Sequence, residues 1–575
     1  MNDLYITKEI FMNRIFDDHI LRKVFSLDGT WQLCTDEKKD GETLGYMKGL
    51  PSHAKNIIVP SVIGRDFGLL TYEGITWFGR KFNTNGGTLR FCFGAVMTEA
   101  KVWLDGEYLG EHYGGFCEFD FIAENVSAGE HTLILRVDNS SDLDSIPHPK
   151  VDWYHHGGII RSVSFEELSG VCVLRCHAEY TLNDALSSVE VSFKLKLYSK
   201  EDAETSLDIS VGDNTVIAKN INVCKGVSEA VTDSITLDDI ALWDIDKPNL
   251  YKLTVRTAAD DFIDRIGFRY IEVKNGKVYL NNKEIEFRGA NRHEDHPDWG
   301  FAVPAQISRR DVEIFKDMGA NAVRGSHYPQ SRAFVDLLDE SGLMFWSEIP
   351  IWGGGYTADD LARPLVLSRG LDMLKEMTEV YYNHPSIVIW GIHNEIDTSA
   401  SSALEMTKLY YNEMKQNGGN RLVTFASCRP FTDICFEYCD VMSVNYYYGW
   451  YEGTIKTWDI FLEKFDARRK ELGLADKPLI VSEFGAAAIY GNHTFDNLKW
   501  TEEYQAELLS YCIEAFHKSE MVCGMFVWQF CDMLTAKEVG LSRARHYNNK
   551  GILNEYRKPK SAYFAIKDRY NIWKK

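Results

Sequence analysis

From residue 274 onward, eight short apolar runs alternate with helix-periodic segments, and nothing else in the chain constrains the fold so strongly. The runs are 285–288, 321–324, 343–346, 387–390, 422–425, 441–444, 479–481 and 525–528. Between them, sets such as Val312, Ile314, Phe315 and Met318 recur at helical spacing, and Phe334, Val335, Leu337 and Leu338 end at Gly342. Continuous rather than alternating hydrophobicity marks strands that are covered on both faces. Eight such strands separated by helices over about 300 residues predict a (β/α)8 barrel. A doubly wound open sheet shares the periodicity and stands as the less favoured reading.

The preceding part of the chain has a different texture. Leu89, Phe91 and Phe93 alternate, Val102 and Leu104 lead into Asp105-Gly106, and Leu133, Leu135 and Val137 lead into Asp138-Asn139. A second alternating set opens near Cys172, with Val191, Phe193, Leu195 and Leu197, then Leu253 and Val255. Short alternating strands punctuated by turn dipeptides predict β-sandwiches, and the length admits two. The expected domains are residues 1–166, 167–273 and 274–575, the last division marked by Asn275-Gly276. Three domains agree with a prior of roughly 150 residues each.

Composition narrows the function. Lys and Arg total 63 against 84 Asp and Glu, a net charge of −21. Such a surface repels phosphate backbones and anionic lipid, so neither nucleic acid nor membrane is the expected partner. Twelve cysteines carry no C-x-x-C pair, which points to reduced, mostly buried thiols in a cytoplasmic protein rather than to a disulfide or metal framework. Residues 1–20 hold acidic groups and no apolar core, so they do not read as a secretory signal. No apolar stretch approaches the ~18 residues a transmembrane helix needs. The N-x-S/T triplets at Asn125, Asn139 and Asn492 are then chance. Fourteen Trp, 29 Tyr and 31 Phe provide flat faces that can stack on sugar rings, although most belong to the core.

Barrel chemistry lies at the C-terminal ends of the strands. The fourth run is followed by Gly391-Ile392-His393-Asn394-Glu395, the seventh by Ser482-Glu483-Phe484-Gly485. Two glutamates there face each other across the barrel mouth, which is the equipment of retaining glycoside hydrolysis: a nucleophile and a general acid/base. A single Glu in such a position reads more readily as a helix N-terminal charge. The pair favours the catalytic reading.

Residues 321–329, Asn-Ala-Val-Arg-Gly-Ser-His-Tyr-Pro, and 383–395, ending His393-Asn394-Glu395, resemble two long motifs of the family 2 glycoside hydrolases, the β-galactosidase and β-glucuronidase family. The resemblance extends upstream through Gly114-Gly115-Phe116 and 158–162, and so covers nearly the whole chain. It implies a jelly-roll sandwich, an immunoglobulin-like sandwich and a catalytic barrel, with no cofactor or metal. It also implies Glu395 as acid/base, Glu483 as nucleophile, Asn394 on the sugar 2-hydroxyl and Tyr447 beside the nucleophile. Plain barrel packing is the alternative for Tyr447. An oligomer of identical chains follows from family analogy alone.

Within that family the sugar is read from Asn548-Asn549-Lys550, which resembles the N-x-K element of β-glucuronidases holding the uronate carboxylate. By the same likeness Tyr451 belongs to the glucuronidase loop, and Asp152 and His293 contact sugar hydroxyls. Trp528 lies under the ring, with core packing as its alternative. Two departures stand out. Bacterial glucuronidases often carry an Arg four residues before the Asn, where this chain has Ala544 flanked by Arg543 and Arg545. The segment after Ser347-Glu348-Ile349-Pro350 runs quickly into a helix, so no long lid is expected over the aglycone side. The leading expectation is a retaining exo-β-D-glucuronidase acting on small glucuronides. β-Galacturonidase, β-galactosidase and a non-catalytic carbohydrate-binding protein are the alternatives.

Overall fold

The computed structural model describes residues 13–16, 19–64, 68–537 and 543–572. Most of the opening stretch read for a signal, residues 1–12 and 17–18, lies outside these. The first β region packs two sheets face to face. One orders the strands Lys23–Ser26, Val163–Leu168, Gly87–Phe93 and Phe119–Val126; the other has six strands, with Ile75–Thr84 and Gly129–Asp138 at its centre. Leu89, Phe91 and Phe93 of one sheet and Phe78, Leu133 and Leu135 of the other share a single buried core. Asp105-Gly106 forms the expected two-residue hairpin, pairing Leu104 with Glu107. Both central residues take positive φ, 50° and 88°, which matches the right-handed twist of the strands.

The second β region is again two sheets, built around Val171–Leu182 with Ser188–Ser199 and around Ala203–Val211 with Tyr251–Arg256. Val191, Phe193, Leu195, Leu253 and Val255 meet in its core. The expected limit at 166/167 falls inside the strand Val163–Leu168. The limit at 273/274 falls inside the strand Ile271–Lys274, one residue before the turn at Asn275-Gly276, in a small sheet with Lys277–Leu280 and Lys283–Ile285.

That small sheet closes the bottom of a barrel. The eight parallel strands are β1 (Phe287–Arg292), β2 (Ala322–Gly325), β3 (Met344–Glu348), β4 (Ile387–Asn394), β5 (Leu422–Ser427), β6 (Met442–Asn445), β7 (Leu479–Phe484) and β8 (Val522–Val527), and β8 pairs back with β1. Ile271, Val278 and Leu280 pack under Phe287, Met344, Ile389 and Phe526, so the interior is filled from below and open only above. The first expected run corrects itself here. Ile285 ends a strand of the cap, and the barrel strand begins at Phe287 and continues through Arg292. Strands β4 and β7 run past their apolar stretches, so Asn394 and Glu483 lie within strands and Glu395 directly follows one.

The first sandwich is clamped onto the barrel mouth. Arg161 donates to Glu294 Oε2 at 2.7 Å and to the Pro329 carbonyl at 2.9 Å, and Phe116 stacks on Tyr328 at 4.1 Å. These are the upstream motif residues, and their work is to hold two domains in register. The clamp brings the loop carrying Asp152 and Trp153 over the strand ends.

Candidate active site

A cleft of about 500 Å3 opens at the C-terminal ends of the strands, a size suited to a small ligand. Nine of the ten residues singled out from sequence line it: Asp152, His293, Glu395, Tyr447, Tyr451, Glu483, Trp528, Asn548 and Lys550. Asn394 stands fully buried in the wall behind them.

The two glutamates live in opposite environments. Glu483 Oε1 accepts from Arg324 Nη1 at 2.8 Å, and its Oε2 accepts from Tyr447 Oη at 2.7 Å. Both oxygens therefore have a donor. Burial first, then the charge of Glu483, keeps the Tyr447 phenol well above its ordinary range, so it stays a donor. Among the described residues Glu395 has one side-chain donor, Asn445 Nδ2 at 2.9 Å. Burial, with the Glu483 charge second, pushes its carboxyl up to about 8. The two carboxyls thus differ in their surroundings: one is held by an arginine and a phenol, the other by an amide. The backbone at Glu395 sits at φ 55°, an uncommon conformation for a side-chain-bearing residue and one that clusters at functional sites.

The residues that set this contrast were not assigned from sequence. Arg324, at the end of β2, is fully buried and donates to Glu348 at 2.9 and 3.0 Å, to Asn394 Oδ1 at 2.7 Å and to Asn291 Oδ1 at 3.0 Å, besides Glu483. Asn394 also accepts from Asn445 Nδ2 at 3.0 Å, while its own Nδ2 is buried without a partner among the described residues. His327 hydrogen-bonds Glu348 Oε1 through Nδ1 at 2.7 Å, and burial holds its pKa near 3, so the ring is neutral. It stacks on Trp528 at 5.2 Å and 18°, forming with it one aromatic wall. His293 meets Tyr328 Oη through Nδ1 at 3.2 Å, and its Nε2 has no partner among the described residues. Arg324 and His327 lie in the 321–329 motif; the remaining signal was only a polar residue closing an apolar run.

At the far side of the cleft Lys550 is 1% exposed. Among the described residues its ammonium makes one hydrogen bond, to Tyr451 Oη at 2.8 Å, and otherwise faces the rings of Tyr447, Trp450 and Tyr451 at 4.9–5.9 Å. Burial lowers its pKa. Arg543 also lines the cleft and donates to Asp152 at 3.0 and 3.3 Å; Asn548 Nδ2 donates to the same carboxylate at 2.8 Å. Arg545 points elsewhere and pairs with Glu555 at 2.9 Å.

A second cleft of about 580 Å3 lies among both sandwiches and Arg332 of the barrel. Of the acids that line it, Glu118 pairs with Arg332 at 3.0 Å, Asp120 with Arg90 at 2.9 Å and Glu166 with Arg90 at 3.2 Å. All twelve cysteines are unpaired. Among the described residues no helix is long and apolar enough to cross a membrane.

Comparison with known proteins agrees with this geometry. Residues 271–574 match the model of glycosyl hydrolases family 2, TIM barrel domain, and residues 173–269 match glycosyl hydrolases family 2. A beta-glucuronidase of Streptococcus agalactiae is 26% identical over 96% of both chains, and one of Bacteroides fragilis is 29% identical over 96% of this chain and 82% of its own. Among solved structures, the beta-galacturonidase of Eisenbergiella tayi bound to galacturonate is 32% identical, with a TM-score of 0.90, covering 98% of this chain and 99% of that one. An uncultured Clostridium sp. beta-glucuronidase is 27% identical, with a TM-score of 0.87, over 97% and 99%. The barrel match alone spans more than half of the sequence, and the chain belongs to glycosyl hydrolase family 2.

Proposed function

We propose that this glycosidase is a retaining exo-β-D-uronidase, and that its substrate is a β-D-glucuronide. The observation that carries the reading is Lys550: a buried ammonium in the same cleft as the carboxylate pair, with one phenol as its hydrogen-bond partner among the described residues. A buried charge needs a counter-charge, and the C6 carboxylate of a uronic acid supplies it. A neutral hexose leaves the cation unpaired, which disfavours the galactosidase reading. The carboxylate pair itself argues against a binding protein without activity.

In this reading Glu483 attacks the anomeric carbon while Glu395 protonates the departing oxygen, giving a glycosyl-enzyme. Glu395, now a carboxylate, deprotonates water, and the β-configured sugar leaves. Asn394 Nδ2 donates to the 2-hydroxyl, Arg324 and Tyr447 hold Glu483, Trp528 lies beneath the ring, and Asp152 and His293 contact hydroxyls. Asn548, Lys550 and Tyr451 form the carboxylate end.

A β-D-galacturonide is the second reading, favoured by one departure. Asp152 is already engaged by Arg543 and Asn548, which places a cation beside the group expected to read sugar hydroxyls. The 32% identity to a galacturonidase over nearly the full length supports the same choice. The two sugars differ only at C4. Side-by-side kcat/KM for aryl β-glucuronide, β-galacturonide and β-galactoside decides: a uronide must lead by at least about a hundredfold, the scale of breaking a buried charge pair. A galactoside as the best substrate overturns the proposal.

Three domains, a jelly-roll sandwich over 1–166, an immunoglobulin-like sandwich over 167–273 and the barrel over 274–575, are part of the same proposal. Twelve unpaired thiols support a cytoplasmic location. The homo-oligomer rests on family likeness.

A further inference from the structure

The short segment after β3, Ile351-Trp352-Gly353-Gly354-Gly355, is no flexible linker. Asn394 N–H donates to the Ile351 carbonyl at 2.8 Å, and Gly353 N–H donates to the Asn394 carbonyl at 2.7 Å, so Trp352 is pinned beside Asn394-Glu395. Each glycine marks a close approach. A Cβ at 353 would stand 1.9 Å from the Glu395 carbonyl oxygen, one at 354 would stand 2.0 Å from the Trp352 indole, and one at 355 would stand 2.0 Å from His148 Nδ1. The backbone at 354 thus lies against the six-membered ring of the indole, which lines the cleft, and Trp153 meets that ring edge-on at 6.1 Å and 75°. Cys428 also lines the cleft, and its Sγ lies 3.8 Å from the Glu395 carbonyl oxygen. Burial and the neighbouring Glu395 push that thiol up to about 12, so it is neutral.

We propose that Trp352 is the platform for the leaving group, and that the aglycone this enzyme takes is a flat, uncharged aromatic ring. The inference rests on the uronidase reading above. An acid that protonates the glycosidic oxygen has the aglycone on its own side of the bond, and the groups flanking Glu395 there are an indole and a thiol. A thiol is a weak partner for sugar hydroxyls, which disfavours a glycosyl aglycone. Glu452, Glu483 and the net charge of −21 disfavour an anionic one. Gly353 and Gly354 let the backbone lie this close to Glu395 and to the indole, and a side chain at either would displace its neighbour; Gly355 does the same against His148.

The test uses the full chain and three uronides of the same sugar, with methyl, phenyl and bicyclic coumarin leaving groups. For Trp352→Ala, kcat/KM on the coumarin uronide should fall further than on the methyl uronide by about three- to tenfold, the worth of one aromatic stacking contact, and mainly through KM. Phenyl should fall between them. Trp352→Phe should recover most of the difference, and Gly354→Ala, which displaces the indole without removing it, should reproduce the loss. Because each variant is read as a ratio of substrates, partial misfolding cancels. Equal losses on all three uronides, or a Trp352→Phe no better than Trp352→Ala, overturn the platform. If the wild-type chain cleaves galactosides and no uronide, the function reading fails, and the same ratio is then read on methyl and coumarin galactosides.

Discussion

Replacing Glu395 by Gln should make the folded protein more stable near neutral pH while nearly abolishing turnover of poorly activated substrates. Its carboxyl is raised from 4.5 to about 8, with burial as the larger cause and the Glu483 charge as the second. For a carboxyl shifted upward, nothing is lost below pH 4.5, where folded and unfolded chains are both protonated. As pH rises through that value the unfolded chain ionises and the folded one does not, so stability falls until the pH passes 8. At about 1.4 kcal/mol per pH unit, wild type carries a cost of about 3 kcal/mol at pH 7. The side chain is only partly buried by surface area, so solvent screening brings this down to about 1–2 kcal/mol. Gln keeps the oxygen that accepts from Asn445 and removes the ionisation. Thermal unfolding of both proteins from pH 4 to 9 should show curves that coincide at pH 4 and separate progressively toward pH 8, with the variant higher by about 1–3 °C. A variant that is less stable at pH 7, or an offset that stays constant with pH, would refute the reasoning.

Three further outcomes follow from the same geometry. Glu395→Ala should retain turnover of uronides with very acidic leaving groups, and added azide should speed it and yield a β-azide product by mass and NMR. Lys550→Ala should cost about 2–5 kcal/mol in kcat/KM on the uronide and far less on a galactoside; equal losses would refute the anion pocket. Arg543→Ala should change the glucuronide to galacturonide ratio, whereas Arg545→Ala, whose guanidinium is paired with Glu555, should leave both rates within about twofold.

The barrel was legible because strands buried on both faces leave uninterrupted apolar runs, and hairpins such as Asp105-Gly106 leave a turn signal. Strand ends were not. Asn394 and Glu483 are polar, so they cut the apolar runs short, yet the strands continue through them. The closing sheet beneath the barrel was hidden because Ile285 and Arg288 read as one run, although Ile285 ends a cap strand and Phe287 begins β1. Sequence likeness found the residues that line the cleft better than those that hold them in place. Arg324 and Glu348 form a fully buried ion pair, a choice visible only once β2 and β3 are neighbours. Arg543 reaches Asp152 across 391 residues of chain, a contact that no local periodicity records.

The central claim is a uronidase that works through a covalent bond to Glu483. Incubation with a 2-deoxy-2-fluoro-β-D-uronosyl fluoride, followed by intact-mass measurement and peptide mapping, tests it most directly. The expected result is one uronosyl adduct per chain, located on Glu483, formed far faster than with the corresponding galactosyl fluoride. It should be slowed by Lys550→Ala. An adduct on another residue, no adduct with either uronosyl epimer, or faster labelling by the neutral sugar would contradict the account.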